Sequence, residues 1–239
     1  MTRPSVLVPI RVLEGESLPE GVPDLLSNAH VVLLGYHVVP GQTAPGQARM
    51  QFEEKALARL EEFETVLADA GAAVEHRLVF THDAQQTIDR QIEENDCLAA
   101  LVPRSLGDLE DVLVAVRGTV GIDRLARVVG GLFSDRDIDV TLYHVTSDDE
   151  TDADVDVLLD GLADRLADED VDPDRIKTRL DQDVNPVDAI VDLAESYDCV
   201  VMGESDTTLA TFVFGMPADQ VADTFLGPVL VVQREPSEE

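Results

Sequence analysis

The chain repeats itself at a distance of roughly one hundred residues, and this limits what it can fold into more than any other feature. Tyr36-His37-Val38 returns as Tyr143-His144-Val145, Arg77-Leu78 as Arg179-Leu180, and Asp96-Cys97 as Asp198-Cys199. A period this long exceeds a solenoid unit and suits a small domain. The expectation is two copies of one fold, residues 1–107 and 108–239.

Each copy alternates short apolar runs with helical patterns. Ser5 to Ile10 is rich in branched residues and too short for a helix, so it reads as a strand buried on both faces. Further strands are expected over 31–39, 73–80 and 97–102, with helices over 47–70 and 84–94. Gly71 stops the first of these helices. The second half gives strands near 111–116, 138–146, 175–181, 199–203 and 228–233 and helices near 120–134, 153–169, 186–197 and 217–225. Such alternation is the signature of an α/β protein with parallel sheets and helices on both faces. After the fourth strand the copies diverge. The second continues into a helix and a fifth strand, whereas the first passes through Pro103-Arg104-Ser105-Leu106-Gly107 almost directly into the next copy. The first copy therefore lacks its last helix and strand.

Charge excludes some partners. Forty-nine acidic residues oppose 17 basic ones for a net charge of −32, and the acids are spread through the helices rather than gathered in a tail. Nucleic acid would be repelled, since no basic stripe offsets the excess. A dispersed excess of carboxylates resembles the surfaces of proteins from salt-loving organisms, where salt screens the repulsion. Cys97 and Cys199 begin apolar strands and are expected buried and reduced. No run of apolar residues is long enough for a membrane span, and Arg11 and Glu14 interrupt the N-terminal apolar run too soon for a signal peptide, so neither insertion nor secretion is expected and the cytoplasm is the expected location. His37 and His144 occupy matching positions and read as satisfied structural histidines, His82-Asp83 as a turn, and Asn185 as a helix N-cap. No nucleophile, acid–base pair or metal-ligand spacing stands out, so the chain is not expected to be an enzyme.

The segment Asp198-Cys199-Val200-Val201-Met202-Gly203, then Gly215, then Pro228-Val229-Leu230-Val231-Val232, resembles the C-terminal half of a universal stress protein domain. Its family pattern is D-x-I-V-M-G-x-x-G, nine residues, G-[S/T], a helix and a closing P-V-L-V-V strand. The resemblance covers the chain as two tandem copies, more strongly over 111–233 than over 5–102. It implies Rossmann-like domains of the adenine nucleotide alpha hydrolase type, with parallel sheets in strand order 3-2-1-4-5. Family members divide into ATP binders and non-binders. Carried over, the nucleotide site would comprise Val116, Arg117, Val145, Met202, Gly203, Ser205, Asp206, Gly215 and Met216.

This chain departs from the binding pattern. Asp206 holds the second glycine slot, where its bulk and charge would oppose phosphate. Eleven residues separate Gly203 from Gly215 where the family has twelve, and Met216-Pro217 replaces the small hydroxyl residue. Nucleotide-binding members usually carry aspartate at the end of the first strand; here Arg11 and Arg117 stand there. Arg117 either neutralises Asp206, the favoured reading, or offers a cationic fork to an anion. The sequence thus points to a non-enzymatic stress-response regulator without a resident cofactor. The resemblance implies that it would act through protein contacts, with a membrane transporter as one kind of partner. The alternative is a sensor binding ATP, AMP or a small anion in the second copy. Because a truncated first copy exposes strand 97–102, strand 228–233 is expected to pair with it in an internal pseudo-dimer, with a homodimer as a further option.

Overall fold

The computed structural model describes residues 2–116, 121–146, 150–182, 184–203 and 227–233. The first half holds strands β1 (Ser5–Arg11), β2 (His30–Val38), β3 (Ala73–Thr81) and β4 (Ala99–Val102), with helices α1 (Val22–Leu25), α2 (Pro45–Asp69) and α3 (Ala84–Glu94). The second holds β5 (Asp111–Ala115), β6 (Asp139–Thr146), β7 (Ile176–Gln182), β8 (Cys199–Gly203) and β9 (Val229–Val232), with α4 (Ile122–Phe133), α5 (Asp152–Asp168) and α6 (Pro186–Ala194). The expected helix over 217–225 lies outside the described residues.

All nine strands form one sheet in the order β3-β2-β1-β4-β9-β8-β5-β6-β7. Read outward from the joint, the first half has the order 4-1-2-3 and the second 5-4-1-2-3. Pairing is parallel within each half. At the joint β4 meets β9 antiparallel, with Ala99 opposite Val232 and Val102 opposite Val229. Gln233 N extends this ladder by donating to Leu98 O at 2.8 Å. The fifth strand of one half thus covers the edge that truncation left on the other.

The joint is also a shared core. One hydrophobic cluster runs under α1, α2, α4 and α5 from Val6 and Val8 through Leu101, Leu230 and Val232 to Val112 and Val114. Separate clusters lie under α3, with Leu7, Val32 and Ile92, and under α6, with Leu113, Ala115 and Ile190. Alternate residues of a central strand therefore enter different cores, which is why these strands are apolar throughout rather than alternating. Helix α1 is a single turn, whereas α4 is long and packs onto β8 and β9. A Cβ on Gly131 would lie 2.7 Å from Pro4 Cδ, so α4 needs glycine there to approach the first half. Just beyond α4, Arg136 donates to Asp24 Oδ2 and to Ser27 Oγ, both at 2.7 Å.

The strand register corrects the repeat. Arg77 pairs with Leu34 and Arg179 with Tyr143, so Tyr143 corresponds to Leu34, not to Tyr36 two residues later. His144, opposite Leu180, likewise corresponds to Gly35, opposite Leu78, and not to His37. Gly35 leaves room for Leu60, whose Cδ1 would lie 2.7 Å from an added Cβ. The cysteines are not equivalent either: Val6 pairs with Ala99 and Val112 with Cys199, placing Cys97 two residues too early. Cys97 packs beneath α3 while Cys199 packs on the opposite face. Both are buried free thiols, and burial raises the pKa of each. The Tyr-His-Val peptide can slide by two residues and keep its side chains on the same face of a sheet, which is how that misalignment arises; the cysteines, on opposite faces, do not match even in this way.

Candidate ligand edge of the second half

In open α/β sheets ligands bind beyond the carboxyl ends of the strands, where neighbouring strands connect in opposite directions. In the second half this switch point lies between β5 and β8, and the antiparallel joint puts the corresponding edge of the first half at the opposite end of the strands. Ala115 lies opposite Met202, so Val116 and Gly203 leave adjacent strands side by side, with Val145 at the end of β6 beyond them. These expected site residues come together. Their side chains, however, are largely core: Val116 is 1% exposed, Met202 2% and Val145 8%. Only Gly203 is partly open. Arg117, Ser205, Asp206, Gly215 and Met216 lie outside the described residues, and with them the expected Arg117–Asp206 pair.

The backbone at this edge is held by a group that the motif did not single out. Val116 N donates to Tyr143 O at 2.8 Å, and His144 Nδ1 lies 2.9 Å from Val116 O. A carbonyl oxygen can only accept, so Nδ1 carries a hydrogen. His144 Nε2 faces Glu150 Oε2 at 3.0 Å, so both ring nitrogens are engaged. His144 is thus a satisfied structural histidine, as the sequence suggested. Glu150 had no signal of its own among so many acids. On the other face, the Tyr143 hydroxyl donates to Asp181 Oδ2 at 2.7 Å. Burial, reinforced by the Asp181 carboxylate, raises the tyrosine's pKa.

The first half is filled differently. Arg11 Nε donates to the Tyr36 hydroxyl at 3.1 Å, Arg11 Nη1 to Glu14 Oε2 at 3.3 Å, and Arg11 N to Glu16 Oε2 at 2.6 Å. This arginine is engaged by its own loop and by a neighbouring strand. After β4 the chain turns away, and Leu106 N donates to Glu20 O at 3.0 Å. His37 departs from expectation: its Nδ1 is buried without a hydrogen-bond partner, and the ring lies edge-on to Phe52 and Phe80. His82 and Asp83 form the expected turn, Asp83 Oδ1 capping α3 through Gln86 N at 3.0 Å. Asn185 Oδ1 accepts from Asp188 N at 3.4 Å at the start of α6. Among the described residues no group of His, Cys, Asp and Glu is arranged to hold a metal ion, and no helix is long and apolar enough to cross a membrane.

The sequence model of the universal stress protein family matches residues 109–233, which include β5 to β9 and the whole of this edge. The chain belongs to the universal stress protein family. A universal stress protein from Archaeoglobus fulgidus DSM 4304 has the same fold along nearly its full length. Its TM-score is 0.64 at 17% identity, over 98% of this chain and 97% of that one. Shorter matches include a universal stress protein solved in complex with cAMP, with a TM-score of 0.42, 22% identity, and 54% of this chain against 100% of that one. Another, from Archaeoglobus fulgidus in complex with dAMP, has a TM-score of 0.39, 16% identity, and 54% against 98%. No curated protein sequence matches this universal stress protein significantly.

Proposed function

We propose that this universal stress protein is a non-enzymatic regulator that acts through protein contacts, with no nucleotide as a standing cofactor. The observation behind this reading is the packing of the candidate edge. Val116, Val145 and Met202 are committed to the core, and the Val116 carbonyl is already bonded to His144. The sequence beyond Gly203 points the same way, because Asp206 and Met216-Pro217 replace the glycine and hydroxyl residue of the family's phosphate-binding pattern. The first half adds no second site, since Arg11 is tied to Tyr36 and Glu14 and the chain turns away after β4.

The test is mass spectrometry of small molecules released from protein purified in molar potassium chloride. The expected result is no adenine nucleotide above trace occupancy. Stoichiometric ATP or AMP would overturn the reading and favour a sensor that binds nucleotide in the second half.

A further inference from the structure

The two ends of the sheet are not finished alike. Strand β3, at one end, carries α2 packed against it and is mostly half-buried. Strand β7, at the other, is exposed along most of its length: Lys177, Thr178, Arg179 and Leu180 all face solvent, with Leu180 at 42%. Beside it an open cleft of about 620 Å³ separates Arg179 and Asp181 from Asp188 and Asp192 of α6. An uncovered edge strand offers a row of unpaired main-chain donors and acceptors, so it needs either a partner or a defence.

We propose that β7 pairs antiparallel with β7 of a second copy of this chain, in a register centred on Leu180. A two-fold axis normal to the sheet keeps each residue type on its own face, so a residue must sit on the axis, and three choices are available near the middle of the strand. Centring on Thr178 sets Lys177 against Arg179 twice, which is repulsive. Centring on Arg179 sets two arginines against each other. Centring on Leu180 sets Arg179 against Asp181 on both sides of the axis and places two leucines at its centre, so the strand is complementary to itself in this register.

The side chains are prepared for this. Tyr143 holds Asp181 through Oδ2, and Arg179 reaches that same oxygen only at 4.0 Å. Oδ1 of Asp181 has no partner among the described residues and is left to a guanidinium from outside. The charges of β3 are already committed, Arg77 to Glu75 at 2.7 Å and His76 to Glu64 at 2.5 Å. This interface is distinct from the joint, where β9 is consumed internally. It does not depend on whether nucleotide binds near Gly203.

Two chains of net charge −32 repel at long range. Salt screens that repulsion more effectively than it screens a contact pair at a partly covered interface. Light scattering on the full chain in molar potassium chloride should give twice the 26.0 kDa chain mass. Arg179→Asp and Asp181→Arg should each return the monomer mass, and the double charge swap should restore the dimer, because the cross-strand pairs are complementary again. Circular dichroism of each variant separates loss of pairing from loss of fold. The charge swap in an unfolded or partly folded chain has a substitute in Leu180→Lys, which sets two ammonium groups on the axis and should also give monomer. A monomer at every salt concentration, or a dimer indifferent to these substitutions, would overturn the proposal.

Discussion

Asp198 and Asp111 bracket each other at the foot of the second half: Asp198 Oδ2 accepts the Asp111 N–H at 2.9 Å, and Asp198 N donates to Asp111 O at 3.0 Å. The same carboxylate oxygen accepts Glu110 N at 2.9 Å. One side chain thus ties the start of β8 to the start of β5 and takes up two main-chain donors where the sheet begins. Removing it as Asp198→Ala should cost about 2–4 kcal/mol, since two hydrogen bonds to a charged group are lost. In the first half Leu98 N makes the corresponding bond to Ser5 O, and the exposed Asp96 stands outside the ladder with φ of 48°. Asp96→Asn keeps a residue that tolerates this conformation and should change stability by no more than about 0.5 kcal/mol. Urea unfolding of the two variants checks the contrast.

The joint should make the halves one cooperative unit. Leu230 is fully buried in the core that both halves share and lies opposite Leu101 across the antiparallel ladder. Leu230→Ala should destabilise by about 2–5 kcal/mol, as truncation of a buried leucine does. Hydrogen exchange should then accelerate together in β1 and β5, on both sides of the joint. Acceleration confined to the second half would mean that the halves unfold independently.

The two histidines should respond in opposite ways. His144 is 2% exposed and bonded through both nitrogens, so His144→Leu leaves the Val116 carbonyl without its donor and takes one partner from the Glu150 carboxylate, and should cost about 2–4 kcal/mol. His37 keeps a buried, unpartnered Nδ1 between Phe52 and Phe80. His37→Leu removes that orphan and should be within about 1 kcal/mol of the parent, or more stable. Equal losses in thermal melts of the two variants would contradict this.

Much of this was legible from residue pattern because the strands are continuously apolar and the helices carry clear boundaries, such as Gly71 after α2 and Asn185 before α6. The joint was legible too, for a physical reason: a fourth strand with no fifth beside it needs a cover, and Pro228 to Gln233 was the spare strand. The register was not. Tyr-His-Val recurs as a peptide, yet two-residue slippage keeps every side chain on its face, so only the pairings of Arg77 with Leu34 and Arg179 with Tyr143 reveal it. The partners of the polar groups were equally hidden. Nothing in the sequence distinguishes Glu150, bound to His144, from its acidic neighbours, because the pairing depends on where the chain after β6 carries it.

Alkaline stability should report on Tyr143. Burial, and then the Asp181 carboxylate, raise its pKa in the folded protein, so folding favours the un-ionised phenol. That contribution is complete below the unfolded tyrosine pKa of about 10 and declines as pH rises above it towards the folded value. Tyr143→Phe should therefore lose stability more gradually than the parent on the alkaline side. Parallel denaturant titrations across that range check the slope, and identical slopes would remove Tyr143 as a source of it.

Salt should stabilise the fold itself. The excess of 32 negative charges is distributed over helices whose outer faces carry repeated carboxylates, as along Asp154, Asp156, Asp160 and Asp164 in α5. Cations are too few to offset them locally: 17 basic residues face 49 acidic ones, and Lys177 among them is already paired with Asp139. At low ionic strength each carboxylate acts on many others, because the screening length is about 30 Å at 0.01 M and falls to about 3 Å at 1 M. Unfolding relieves that repulsion by spreading the charges apart, so dilute buffer favours the unfolded chain and salt removes the bias. The melting temperature should rise steeply between dilute and molar potassium chloride. Sodium chloride at matched concentration should give a similar rise if screening is the cause, whereas a flat profile would show that the charge is accommodated without salt.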